Sequence, residues 1–277
     1  MKEKRLIPLS RLLVPLGTVL VFMVLYDFLL PHLHRWVEPH VPNRGLRLLL
    51  VDYPKVFIQL LAVVWFCTRL ERTRWRAILQ RIGFTSLKFR PLAVGILACL
   101  LGFGYVFFHA HLANARWELR PRLIYFLPFL LVLTCFGEEL VYRGFFFRLL
   151  RKGRSFFMAT LISGVLVVLD HYYQLGIVLK TGGVDGWKTV VIDIAGKFLW
   201  VFALNFLYER GGNAIWACML AHLGADTNML FNLFMKTGMP MNWWSYNGGT
   251  VRTFVLPLLF LFLFAILLPR NKRLSKL

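Results

Sequence analysis

Apolar residues run in long blocks along this chain, separated by short stretches rich in arginine, lysine and turn-forming residues. Eight blocks reach or approach the about 20 residues that a helix needs to cross a hydrocarbon core. They predict membrane helices at roughly 12–31, 47–68, 91–110, 121–148, 155–179, 187–208, 213–235 and 251–269. The connection between the second and third blocks has a different pattern. There Trp75, Ile78, Leu79, Ile82 and Phe84 are interleaved with Arg72, Arg74, Arg76 and Arg81. That spacing predicts an amphipathic helix lying on an anionic membrane surface. No internal repeat, low-complexity tract or long linker divides the chain, so 1–277 reads as a single integral membrane domain. The fold class is therefore all-α: a polytopic membrane protein.

Composition agrees with the pattern. Hydrophobic residues make up 58% of the chain and charged residues 17%, more apolar than soluble domains. A net charge of +20 raises the question of nucleic acid. The basic residues are spread over many short connections and no nucleic-acid reading module is present, so anionic lipid headgroups are the expected partners. Lys and Arg in the N-terminus, even-numbered connections and C-terminus outnumber those in the odd-numbered connections by about two to one. This bias places both termini in the cytoplasm, in what is expected to be a bacterial inner membrane, with Glu138 in the cytoplasmic half of its helix. Met1 to Arg5 and the apolar run after them resemble a signal peptide. Tyr26 and Asp27 stand where small cleavage-site residues would be required, so the run reads as a retained helix. Cys67, Cys99, Cys135 and Cys218 all lie in apolar segments without a CxxC pair, and read as buried thiols.

Candidate chemistry enters where charge interrupts the apolar blocks. Glu138, Glu139 and Arg143 fall within the fourth block, although a charge at the centre of a membrane helix costs about 2.5–3.5 kcal/mol. Glu139 and Arg143 are four residues apart and can pair on one face. Glu138 points about 100° away and is left for another role. A carboxylate in such a setting is a general-base candidate; the alternative is a juxtamembrane charge cluster with Arg148, Arg151, Lys152 and Arg154. His171 in the fifth block is either a satisfied core residue or a catalytic one. His222 and Asp226 share a helical face in the seventh block. They either lock a helix interface or hold a water, a metal or a developing oxyanion. Asp193 and Lys197 are spaced to neutralise each other, and Asn205 to bridge helices. A single converging site accounts for Glu138, His171 and His222 on three different segments.

These motifs resemble the CPBP intramembrane proteases, the family that includes the CAAX prenyl endopeptidases. The family carries Glu-Glu-x-x-x-Arg, then Phe-x-x-x-His, then His-x-x-x-Asn or Asp. Here the first is Glu138-Glu139-Leu-Val-Tyr-Arg143. The second is Val167-Val-Leu-Asp-His171, with valine in place of phenylalanine. The third is His222-Leu-Gly-Ala-Asp226. The resemblance spans about 125–235. It implies eight transmembrane helices around a cytoplasm-facing intramembrane cavity, and hydrolysis of a peptide bond in a membrane-associated protein or peptide. It implies that Glu138 activates water with His171, that His222 and Asp226 stabilise the oxyanion, and that Glu139 and Arg143 hold the motif helix. Asp226 stands where many members have asparagine. An ionised aspartate accepts hydrogen bonds but donates none, so it is protonated, orients His222 or binds a metal. A metal-independent reaction without cofactor is the expected one. Zinc held by Glu138, His171, His222 and Asp226 is the alternative. Two other functions fit the same groups: a non-catalytic scaffold or immunity protein of this fold, and a proton-coupled transporter. The absence of an internal repeat disfavours the transporter.

Overall fold

The computed structural model describes residues 8–41, 44–51, 53–113, 135–171, 183–226 and 243–268. Parts of five predicted spans, namely 52, 121–134, 172–179, 227–235 and 269, lie outside the described residues. Within them every element is helical. In chain order these are α1 (Leu9–Val37), α2 (Arg44–Val51), α3 (Tyr53–Glu71), α4 (Trp75–Arg81), α5 (Phe89–Leu112), a π-helix (Leu140–Phe147), α6 (Arg148–Arg151), α7 (Phe156–Asp170), α8 (Gly183–Arg210), α9 (Ile215–Ala225) and α10 (Trp243–Leu267). All eight predicted spans coincide with helix over their described parts. Four stretches, within α1, α3, α5 and α8, are long and apolar enough to cross a membrane, and α7, α9 and most of α10 are shorter apolar helices. The protein is an integral membrane protein.

Each outer helix buries one stripe and shows lipid the rest. In α1 the buried positions are Leu12, Pro15, Leu16, Val19 and Met23, recurring every three or four residues along one stripe, while Leu13, Val14, Val21 and Phe28 are exposed. In α3 Val56, Gln59, Val63 and Cys67 face inward, and Phe57, Leu61 and Trp65 face outward. That 3–4 spacing is one face of a helix. The π-helix has no outward face: all of Leu140–Phe147 is buried, which makes it the central element of the bundle. Tyr142, Phe145, Phe146 and Phe147 fill its surroundings, with Phe66 stacked on Phe145 and both Phe156 and Tyr208 edge-on to Phe147.

Helices α5 and α9 approach each other closely. A β-carbon on Gly102 would come within 2.0 Å of the Gly224 carbonyl oxygen, and one on Gly95 within 2.6 Å of the Ala217 oxygen. Small residues let two membrane backbones meet where hydrocarbon offers no hydrophobic drive between helices. Between α8 and α7, Asn205 Nδ2 donates to Ser163 Oγ at 3.1 Å and Thr160 Oγ1 at 3.3 Å, the predicted helix bridge. Lys197 pairs with Asp193, also as predicted. All four cysteines are buried and free.

The connections assigned to one side by charge meet on one face. Glu71, at the end of α3, is contacted by Arg81 at 2.6 Å, Arg148 at 2.6 Å and Lys152 at 2.8 Å. Arg151 grips Glu209 with two bonds of 2.7 and 2.9 Å. Trp216 Nε1 donates to the Phe84 carbonyl at 2.8 Å, and Asn213 Nδ2 to the Arg81 carbonyl at 2.9 Å. Arg90 and Arg210 bond the carbonyls of Leu267 and Leu268. The amphipathic segment thus exists as α4, with Trp75 exposed and Ile78 buried, and its loop is bonded to the start of α9.

Candidate active site

The fourth span departs from the α-helix expected throughout it. Residues 135–137 and Leu140–Phe147 take π geometry, with Glu138 and Glu139 between them in α conformation. Hydrogen bonds from i to i+5 widen the turn, a form that recurs at functional sites. The Glu139–Arg143 pair survives it: Arg143 Nη1 donates to Glu139 Oε1 at 2.9 Å, with both side chains buried. Glu138, by contrast, reaches a cavity of about 350 Å³.

Glu139 has a second partner that spacing could not predict. His222 Nδ1 lies 2.8 Å from the same Oε1. A carboxylate oxygen only accepts, so Nδ1 carries the hydrogen. The imidazole is held by that bond with its other nitrogen turned to the cavity. There Nε2 stands 3.8 Å from Glu138 Oε2 and 3.8 Å from Asp226 Oδ1. Glu139 is therefore more than the anchor of its own helix; it sets the orientation of His222 on α9.

Asp226 follows the last residue of α9, and its backbone N–H closes the helix on the His222 carbonyl at 2.9 Å. The expected His222–Asp226 pair is close but not hydrogen-bonded at 3.8 Å. Its Oδ2 is buried without a hydrogen bond to the described residues. Asn228 lies outside them.

His171 follows the last residue of α7. Its Nδ1–H donates to the Val167 carbonyl at 2.8 Å, so in the neutral ring Nε2 bears the lone pair. His171 lines the same cavity as Glu138, His222 and Asp226. Val167 lines it too, at the position where the resemblance places a cavity phenylalanine. All four candidate residues, on three segments, are thus brought together.

Sequence reasoning missed three contributors. Tyr142 donates its hydroxyl to Asp170, a buried carboxylate next to His171, and so ties the π-helix to the end of α7. A phenol within a motif of charged residues was the available signal, since buried tyrosines take hydrogen-bond partners. Asp170 cannot face its neighbour His171 on the same helix; its partner lies on another helix. Arg252 on α10 also lines the cavity. It falls at the start of the last predicted span, where nothing local distinguishes it.

The metal alternative requires Glu138, His171, His222 and Asp226 to converge on one point. Among the described residues no group of three or more His, Cys, Asp or Glu is placed to hold a metal ion.

Residues 120–228 match the family model of the type II CAAX prenyl endopeptidase Rce1-like proteins, a stretch that contains all four cavity residues and the Glu139–Arg143 pair. No curated protein and no solved structure matches the chain.

Proposed function

We propose that the chain is an intramembrane endopeptidase acting on a membrane-associated protein or peptide, a reading supported by the match of residues 120–228 to the Rce1-like family model. The observation that carries this reading is the placement of His222, bonded through Nδ1 to Glu139 with Nε2 facing both Glu138 and Asp226. A half-buried imidazole pinned between carboxylates on another helix is an arrangement with a direction, and it points into a cavity.

In this reading a water molecule sits between Glu138 and His171 Nε2. Glu138 takes one proton from the water as its oxygen attacks the peptide carbonyl carbon. The carbonyl oxygen becomes an oxyanion, and a hydrogen on His222 Nε2 donates to it. Nδ1–H stays on Glu139, so a doubly protonated His222 has a carboxylate facing each nitrogen. When the tetrahedral intermediate collapses, the C–N bond breaks, the proton held by Glu138 passes to the leaving amine nitrogen, and the new carboxylic acid loses its remaining proton to the freed amine, so that a carboxylate and an ammonium depart. Glu139 and Arg143 fix His222 throughout and exchange no proton. The apolar wall of Val167, Trp200, Val201 and Leu204 receives side chains of the substrate. The reaction is metal-independent in this reading. The basic face with both termini is cytoplasmic and rests on anionic headgroups, which the meeting of the positively charged connections on one face supports.

The test is cleavage of a prenylated peptide ending in Cys-aliphatic-aliphatic-X, and of an unprenylated one, by the purified chain in proteoliposomes. Glu138→Gln is expected to abolish cleavage, and His171→Ala and His222→Ala to reduce it at least about 100-fold. Cleavage undiminished in Glu138→Gln removes Glu138 as the base. No cleavage by the unaltered chain, together with a cellular phenotype that survives Glu138→Gln, favours a non-catalytic member of the fold.

A further inference from the structure

The stretch from Arg72 to Arg90 carries six basic residues and no acidic one, and all six are exposed. Arg81 holds Glu71, while Lys88 and Arg90 bond the carbonyls of Gly212 and Leu267. Arg72, Arg74 and Arg76 form no ion pair among the described residues, and the Arg76 guanidinium lies 5.3 Å from the centre of the Trp75 ring. Trp75 is exposed, as are Leu87 and Phe89. Arginines beside exposed aromatic and aliphatic side chains fit a layer of anionic headgroups over hydrocarbon.

The other side of this stretch is locked to the segments that carry the site. Ile78 and Ile82 are buried. Gly83 has φ of +85°, and a β-carbon there would overlap the Asn213 carbonyl oxygen at 1.6 Å. The Tyr208 hydroxyl donates to the Ile82 carbonyl at 3.3 Å, next to the bonds from Asn213 to Arg81 and from Trp216 to Phe84. The Phe84 ring lies 5.5 Å from Trp216 and 5.7 Å from Phe136, and those two rings stack at 5.5 Å. Phe136 stands two residues before Glu138, and Trp216 six before His222 on α9. One loop residue thus packs against both segments whose side chains meet at the cavity.

Seating α4 in this position crowds positive charge. Arg81 reaches a carboxylate that Arg148 and Lys152 already hold, so one acid meets three cations. Repulsion among these groups opposes the seated form, and anionic headgroups offset it. A ligand shifts a conformation only by its preference for it; the crowding supplies that preference.

We infer that α4 and the loop after it are a docking surface for anionic lipid headgroups, coupled through Phe84 to the spacing of Glu138 and His222. Headgroups seat α4, Phe84 holds Phe136 and Trp216 together, and the site is assembled at an anionic membrane surface. The coupling rests on the protease reading; the docking surface does not.

The test uses the full chain in vesicles of phosphatidylcholine, alone or mixed with phosphatidylglycerol. Cleavage of an uncharged, membrane-anchored peptide is measured beside thermal unfolding. Phosphatidylglycerol is expected to raise kcat roughly tenfold with little change in KM, and to raise the unfolding temperature. The combined variant Arg72→Gln, Arg74→Gln, Arg76→Gln removes only exposed charge and is expected to lose both responses, whereas the matching three lysine substitutions keep them. Phe84→Ala is expected to keep the unfolding response and lose the gain in kcat, the split that marks a positioning residue. Phe84→Leu, which keeps apolar bulk without the ring contacts, serves where Phe84→Ala does not fold. Equal rates and unfolding temperatures in the two vesicles overturn the inference, as does a glutamine variant that responds like the unaltered chain. A full gain in kcat without the Phe84 ring overturns the coupling. A chain that cleaves nothing yet is stabilised by phosphatidylglycerol through these arginines retains the docking surface while the protease reading falls. Cleavage without any response to phosphatidylglycerol does the reverse.

Discussion

His222 Nδ1 donates to Glu139 Oε1 at 2.8 Å, joining two residues 83 positions apart. Arg143 Nη1 bonds the same oxygen at 2.9 Å. One buried carboxylate therefore neutralises a cation on its own helix and aims an imidazole on another. Glu139→Gln keeps the shape and removes the charge that both donors use. Breaking a buried ion pair costs about 3–5 kcal/mol, and an imidazole released from its orientation loses catalysis as well. The expected result is a lower unfolding temperature together with a kcat loss of roughly 100-fold. Unfolding scans and single-turnover cleavage separate the two effects. Full kcat in a destabilised protein would confine Glu139 to holding its helix.

Tyr142 and Asp170 couple the π-helix to the end of α7, one residue before His171. Tyr142→Phe takes one donor from a buried carboxylate, at a cost of about 1–3 kcal/mol. Denaturant or thermal unfolding is expected to show that loss. Cleavage is expected to fall less than in His171→Ala, because His171 retains its own bond to the Val167 carbonyl. Equal losses would make Tyr142 a direct participant.

Gly102 and Gly104 sit on the same helix in opposite circumstances. A β-carbon at Gly102 meets the Gly224 carbonyl oxygen at 2.0 Å, whereas one at Gly104 meets nothing within 4 Å. Gly102→Ala must push α5 from α9, two residues from His222. Overpacking of this kind costs about 1–3 kcal/mol or more, and a displacement of about 1 Å at a reacting group costs about 100-fold in rate. Gly104→Ala is expected to be neutral or stabilising by about 0.5–1 kcal/mol. Side-by-side yields, unfolding temperatures and cleavage rates test the contrast, and similar behaviour of the two variants would contradict the α5–α9 packing.

Glu71 gathers Arg81, Arg148 and Lys152, and none of the four lines the cavity. Arg148 is buried, so Glu71→Gln leaves its charge short of a partner and is expected to destabilise by about 3–5 kcal/mol. The cavity residues are untouched, so the folded fraction should retain its rate per active site, as measured by active-site titration. A rate that falls with the folded fraction unchanged would link this cluster to the chemistry.

Metal independence predicts that prolonged treatment with a chelator leaves the cleavage rate within about twofold. Loss of activity, restored by zinc and not by magnesium, would instead show that Glu138, His171, His222 and Asp226 close around an ion.

Much of the fold was legible because its causes are local. A run of apolar residues long enough to cross hydrocarbon must satisfy its backbone internally, which makes each block a helix wherever its residues are described. The Glu139–Arg143 pair follows from a separation of four, and it persists even where the helix loosens into π geometry. Alternation of the spans put the even-numbered connections together, and Glu71, Arg81, Lys152 and Asn213 do meet on one face. The set Glu138, His171, His222 and Asp226 was visible because ionisable groups are costly in apolar helices and stand out.

What only the tertiary structure decided is who faces whom. No spacing rule relates Glu139 to His222 or Tyr142 to Asp170, because each pair joins different helices. Those meetings depend on how closely backbones approach, and that is set at positions such as Gly102 against Gly224 and Gly196 against Thr253, where a missing side chain matters more than any charge. The sequence by itself determined that this is a helical membrane protein carrying buried carboxylates and imidazoles. Packing determined that one glutamate orients a histidine while its neighbour opens to the cavity, since a helix fixes the direction of its own side chains but not which helix lies against it.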